Sequence, residues 1–204
     1  MTKTDYLNRF YPIAYKVTQG TKLLPETLIT QLVLESGYKL SQLATKYNNF
    51  FGLKSGSAWT GKVVSMTTAE YKADGTKYFL KGTGKVYSNR IEATRNGANS
   101  GTLFRVFPSV EAGFKGWVEF LQGFPRYNKV FLATTPQGQF IELQKAGYAT
   151  SPTYANQLTT IYNGLKNTIA KINVNTASQN NTGFASVSTI ILIGLILASL
   201  KGFS

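Results

Sequence analysis

The sequence predicts an α+β fold, mostly helical, with a small β lobe and a separate apolar segment near its C-terminal end. Three observations carry this reading. Apolar residues recur at helical spacing over the first 50 residues and again from 109 to 172. Between those stretches, residues 59–107 break into short β-rich runs separated by Gly and Asn. Residues 184–200 carry no charge at all.

Taken in order, Asp5 is placed to cap a helix through Val17, with Pro12 as a kink and Gly20 as its end. Pro25 suits the first position of a second helix, on which Leu28, Leu32 and Glu35 stand at i, i+4 and i+7 on one face, and Gly37 suits its end. Glu35 therefore points where the leucines point, in the last turn and near the negative end of the helix dipole. Partial burial and the dipole both disfavour ionisation, so a raised pKa is expected, with Lys39 acting the other way.

The β-rich runs are GKVVSM, KYFL, KVYS and TLFRVF, with DG at 74–75 and NG at 96–97 as hairpin turns. They imply one small sheet able to wall a cleft. Ser109 then caps a helix through Val110, Phe114, Trp117 and Leu121, and Thr135-Pro136 opens another that stops at Gly147. Ser151-Pro152 opens the last, with Leu158, Ile161, Leu165, Ile169 and Ile172 as its stripe.

Beyond that helix, NVNTASQNNTG (173–183) reads as a polar linker and FASVSTIILIGLILASL (184–200) as a short transmembrane helix. Such a segment reaches about 26 Å against a hydrocarbon core of ~30 Å, and a buried core helix is the alternative. The expected organisation is a domain over 1–172, a linker over 173–183 and a membrane span over 184–200. The N-terminus has no apolar h-region, so a Sec signal peptide is not expected.

Twenty-two Lys and Arg oppose nine Asp and Glu, a net charge of +13, so anionic partners are favoured: nucleic acid, an acidic membrane surface or the bacterial envelope. Cys and His are absent, which excludes thiol nucleophiles, disulfides, His-based zinc sites and Ser-His-acid triads. Acid-base chemistry must use carboxylates, Tyr or Lys, and no metal or cofactor is expected. Asp5, Glu26, Glu111, Glu119 and Glu142 lie in helical runs and read as solvated or capping acids. Glu70, Asp74 and Glu92 lie in the β-rich region, Asp74 as a turn residue. A carboxyl of raised pKa with a second carboxylate across a cleft suits glycoside cleavage.

Several stretches in register resemble a known family: LVLESGYKLSQLATKYNNFFGLKSG (32–56), Trp59-Thr-Gly-Lys, Thr67-Thr-Ala-Glu-Tyr71, Phe104-Arg-Val-Phe, the helix from Glu111 to Leu121, Arg126-Tyr127 and AGYATSPTYA (146–155). Together they look like the glucosaminidase family of peptidoglycan hydrolases, glycoside hydrolase family 73, which includes flagellar and autolysin-type N-acetylglucosaminidases. The resemblance runs from about Pro25 to Leu165. It implies a lysozyme-like fold and cleavage of the β-1,4 bond on the reducing side of N-acetylglucosamine in peptidoglycan glycan strands. It places the general acid on Glu35 and a second acid on Glu70, with Asn49, Phe51, Tyr148 and Tyr154 at the substrate.

Two departures stand out: Ser151 replaces the family's usual Asp, and residues 72–101 are longer than its hairpin. The longer hairpin makes Glu92 the alternative second acid, and an ion pair with a lysine such as Lys72 or Lys85 is the structural alternative for Glu70. A lytic transglycosylase, using one Glu and no water, or a muramidase on the same fold is the second functional reading. A non-catalytic basic envelope-binding protein is the third. Basic charge, a C-terminal apolar segment and no leader together suggest a phage- or virion-associated wall hydrolase, membrane-associated through its tail and with no specific nucleic-acid partner. A bacterial tail-anchored autolysin is the other placement.

Overall fold

A computed structural model describes residues 1–72 and 74–172. The linker and membrane span expected at 173–183 and 184–200 lie outside the described residues. Among the described residues no helix is long and apolar enough to cross a membrane. Residues 1–163 form one compact unit, which holds every site residue treated below, and of the second unit, from 164 on, the described residues are helical.

Helix α1 (Lys3–Thr18) starts earlier than the sequence suggested, because Thr2 rather than Asp5 is its cap: the Thr2 hydroxyl accepts from the Asp5 amide at 3.1 Å. The helix runs through Pro12 without ending. Its inner face, Tyr6, Leu7, Phe10, Tyr11 and Ala14, is fully or almost fully buried.

Helix α2 (Pro25–Ser36) begins with Pro at its first position and ends where Gly37 takes the left-handed conformation (φ 52°), its amide closing on Val33 O at 2.8 Å. Buried Gln139 sets where α2 enters: its Oε1 accepts from Leu24 N at 3.1 Å, and its Nε2 donates to Lys22 O at 2.9 Å and Ala133 O at 3.1 Å. A short α3 (Gln42–Tyr47) follows, capped by Ser41.

The β-rich region forms two small antiparallel sheets, not one. Strands β1 (Val63–Ser65), β4 (Val86–Tyr87) and β5 (Leu103–Arg105) pair in the order β4-β1-β5. Strands β2 (Thr68–Tyr71) and β3 (Lys77–Leu80) make a separate hairpin in which Glu70 opposes Tyr78. The DG turn closes that hairpin, with Asp74 Oδ1 accepting from Thr76 N at 2.8 Å and Gly75 at φ 82°. The NG pair does different work from that expected. It terminates a six-residue helix, α4 (Arg90–Arg95), with Gly97 at φ 78°.

Helix α5 (Val110–Gln122) is capped by Ser109 and buries Phe114, Trp117 and Leu121 completely. Its Gly113 is required by a close approach: a Cβ there would lie 1.9 Å from Asn48 O. A 3-10 segment (Pro125–Leu132), not anticipated from sequence, leads to α6 (Pro136–Lys145), capped by Thr135 and followed by Gly147 at φ 70°. A last helix, α7, covers 154–172, with the Ser151 hydroxyl accepting from Thr153 N in the turn before it.

Candidate active site

Glu35 sits in the last turn of α2, and the leucines of its face, Leu28 and Leu32, are completely buried. The residue as a whole is exposed, yet protein atoms crowd its carboxyl and hold its pKa above the ordinary carboxylate range. The opposing influence is a hydrogen bond from Gln31 rather than the charge of Lys39. Gln31 Nε2 donates to Glu35 Oε1 at 2.8 Å across one helical turn.

Gln31 is itself fully buried, and its Oε1 accepts a hydrogen bond from the Tyr154 hydroxyl. Tyr154 stacks on Tyr148 with centroids 5.8 Å apart, and the Tyr148 hydroxyl accepts from Trp117 Nε1 at 2.8 Å. Burial pushes both tyrosine hydroxyls well above their ordinary pKa, with the Glu35 charge a smaller contribution in the same direction. Both phenols therefore stay protonated, and Tyr154 is a committed donor to Gln31.

Of the four residues expected to contact substrate, Tyr148 keeps partial exposure. Asn49, Phe51 and Tyr154 are 1%, 6% and 3% exposed. The Asn49 amide is spent on backbone: Nδ2 donates to Leu53 O and Arg105 O, each at 2.9 Å, and Oδ1 accepts from Leu53 N at 2.8 Å. It joins the turn after α3 to β5. Phe51 stacks on Trp117 at 4.9 Å and meets Phe114 edge-on at 5.7 Å. The geometry gives these three side chains framework contacts, from which they shape the ground under Glu35 and Tyr148.

Glu70 lies on β2, and its partner is neither Lys72 nor Lys85. Lys54 Nζ reaches Glu70 Oε1 at 3.0 Å while donating to Gly101 O and lying 4.2 Å from the Phe104 ring centroid. Both ends of this ion pair are about a third or more exposed. The Glu35 and Glu70 networks are separate: one passes to Gln31 and Tyr154, the other to Lys54 and Gly101.

Glu92, the alternative second acid, is in the first turn of α4, where it accepts from Ser88 N at 2.7 Å and from the Ser88 hydroxyl; those hydrogen bonds hold its pKa below the usual value. Its position is that of a capping residue. An open cavity of about 490 Å³ lies beside α4, lined by Trp59, Asn89, Arg90 and Thr94 among others, and Glu35 is not part of its wall. The remaining acids behave as the sequence indicated: Glu111, Glu119 and Glu142 pair with Lys16, Lys115 and Lys145, and Glu26 accepts from the Tyr11 hydroxyl.

Gln31 and Trp117 are the participants that sequence reasoning did not single out. The signal for Gln31 was present: it stands four residues before Glu35 on the same helix face. Trp117 read only as part of an apolar stripe.

Residues 11–167 match the sequence model of the glucosaminidase family, described as mannosyl-glycoprotein endo-beta-N-acetylglucosaminidase. The chain belongs to this family. It is 32% identical over 162 residues to the peptidoglycan hydrolase FlgJ of Pseudomonas aeruginosa, covering 77% of this chain and 35% of that protein. It is 30% identical over 166 residues to FlgJ of Salmonella typhimurium, covering 79% and 46%. The chain thus spans a third to a half of the length of these curated relatives. Among solved structures, the truncated glycoside hydrolase domain of Salmonella typhimurium FlgJ superposes with a TM-score of 0.59 at 29% identity, covering 81% of this chain and 98% of that one. The glucosaminidase fold, mostly helical, lysozyme-like and with small sheets, is therefore the fold of this chain.

Proposed function

We propose that this glucosaminidase hydrolyses the β-1,4 bond of peptidoglycan glycan strands as an endo-β-N-acetylglucosaminidase, with Glu35 as the general acid. The observation that carries the reading is a single one: a solvent-facing carboxyl whose pKa is raised by crowding and whose orientation is held by a buried amide. A protonated Glu35 gives its proton to the glycosidic oxygen as the bond to C1 breaks. Water then supplies hydroxide to C1 and returns a proton to Glu35. Tyr148, partly exposed on its stacked neighbours, offers a ring face to a sugar. Glu70 is the second carboxylate, guiding water or the oxocarbenium-like charge.

The ion pair of Glu70 with Lys54 favours a second reading, a lytic transglycosylase using Glu35 alone, because Glu70 is engaged elsewhere. Mass spectrometry of muropeptides released from purified peptidoglycan separates the two. Reducing N-acetylglucosamine ends are expected, and anhydro-muramic ends would replace hydrolysis by transglycosylation. No release of fragments would leave the basic envelope-binding protein.

The net charge of +13 and the uncharged segment 184–200 support action at the cell envelope with membrane association, in a phage- or virion-borne wall hydrolase or a tail-anchored bacterial one. The full chain should float with neutral liposomes in high salt, while a chain lacking 184–200 should not.

A further inference from the structure

We propose that Gln31 is a positioning residue for Glu35: clamped by Tyr154, its amide holds Glu35 Oε1 as an acceptor and leaves the transferable proton on Oε2. The inference rests on the assignment of Glu35 as the acid and goes beyond it by naming what aims the proton.

A side-chain amide is ambiguous in isolation, because it can present either its oxygen or its nitrogen to a carboxyl group. Here both ends are specified. Tyr154 is 3% exposed and its hydroxyl donates to Gln31 Oε1, so Nε2 is turned toward Glu35. Gln31 is fully buried, with no room to exchange these partners for water. Helix geometry fixes the other coordinate, since residues 31 and 35 are neighbours one turn apart in α2. An N–H pointing at Oε1 excludes a proton there. When Glu35 is protonated, the proton therefore occupies Oε2, and when Glu35 gives it up, the same N–H stabilises the carboxylate.

The clamp extends outward through a relay of packed groups. Tyr154 is stacked on Tyr148, Tyr148 is held by Trp117 Nε1, and Trp117 is stacked on Phe51. The titratable groups facing Glu35 are the Tyr148 and Tyr154 phenols, whose own ionisation the Glu35 charge disfavours and which therefore stand neutral beside it. On Glu35 itself burial raises the pKa, and the hydrogen bond from Gln31 acts in the opposite sense. A protein that needed only a raised pKa would gain nothing from it. One that needs a raised pKa together with a fixed proton position would.

The test compares the full chain with Gln31→Met, Tyr154→Phe and Gln31→Glu, measuring pH profiles of kcat and kcat/KM on soluble glycan fragments. Gln31→Met keeps the volume and removes the donor. It should lower kcat roughly 10- to 100-fold with KM little changed, as misplacement of a reacting group does. Its alkaline limb should move to higher pH, because the carboxylate has lost a donor. Tyr154→Phe frees the amide to flip and should move the limb in the same direction by less. Gln31→Glu can still accept from Tyr154 and, when protonated, donate to Glu35. It should recover part of the kcat lost in Gln31→Met at acid pH.

A folded Gln31→Met or Tyr154→Phe whose alkaline limb coincides with that of the unaltered protein overturns the proposal, whatever its rate. So does a Gln31→Glu variant no better than Gln31→Met at acid pH. In either case a Glu35→Gln variant that is inactive leaves the functional reading standing, whereas an active Glu35→Gln removes that reading itself.

Discussion

Two carboxylates of the same chemical type sit in opposite surroundings, Glu35 at the end of α2 and Glu70 in the β2–β3 hairpin. Behind Glu35 lies a run of rings: Phe50 on Phe114, Phe114 on Phe51, Phe51 on Trp117, Trp117 on Tyr148 and Tyr148 on Tyr154. Around Glu70 there are four- and three-residue strands, an exposed Phe79 and a half-exposed lysine. The ring-packed side crowds the Glu35 carboxyl, and that burial disfavours its charged form. The hairpin side holds its carboxylate in an ion pair that solvent screens, worth about 0–1 kcal/mol to the fold. On the proposed assignment, surroundings more than residue type divide the work of acid and carboxylate.

The contrast is broken most directly at the two acids. Glu35→Gln keeps the shape and cannot give a proton, so activity on cell walls should fall roughly 10²- to 10⁴-fold. Glu70→Gln should lose less, since the substrate's own 2-acetamido group can take over part of its work. Turbidity clearing by the two folded variants checks the order, and a more severe loss at Glu70 would reverse the comparison. A crippled Glu92→Gln beside an active Glu70→Gln would transfer the second role to α4.

The difference in packing is sharpened by a pair of phenylalanines. Phe51→Ala opens a void under Trp117 and should cost about 3–5 kcal/mol of stability by denaturant unfolding. Phe79→Ala, at a residue 67% exposed, should change stability by no more than about 0.5 kcal/mol. Equal losses would mean that the hairpin is as tightly integrated as the helical side.

The smallest effect expected is a stability change at Glu35 itself. Its folded-state pKa is raised, so its neutral form is favoured by folding. That contribution is fully present below the unfolded pKa and is lost as pH rises through the folded one. Glu35→Gln should accordingly have a higher Tm than the unaltered protein at neutral pH, with the gap closing on acidification. A Tm difference that does not vary with pH would show that Glu35 is not strained by its surroundings.

Local chemistry made much of this legible before any coordinates. Pro25 at a helix start, Gly37 at its end, the Ser109 and Thr135 caps and the DG turn act over three or four residues, and each appears where the sequence placed it. The face shared by Leu28, Leu32 and Glu35 follows from helical periodicity, and so did the expectation of a raised pKa. Misreadings came where one short signal serves two structures. Asn-Gly suits a hairpin or a helix stop, and only the formation of α4 selected the second. Thr2 displaced Asp5 as a cap because Asp5, one turn later, lies in the first turn of the helix it was expected to start.

By itself, then, the sequence determined the helices, most strands and the helix face that carries Glu35, because propensity, capping and periodicity are read within a few residues, and several motifs in register gave the family. What only the tertiary structure decided lies between distant positions. Lys54 pairs with Glu70 across the lobe, the Asn49 amide is consumed by Leu53 and Arg105, and the Tyr154 hydroxyl, 123 residues from Gln31, sets the direction in which that amide faces Glu35. Such partners are chosen by how chain segments cross and exclude water once packed. A glutamine four residues before a glutamate says nothing of which of its ends will meet the acid, until a buried phenol takes the other.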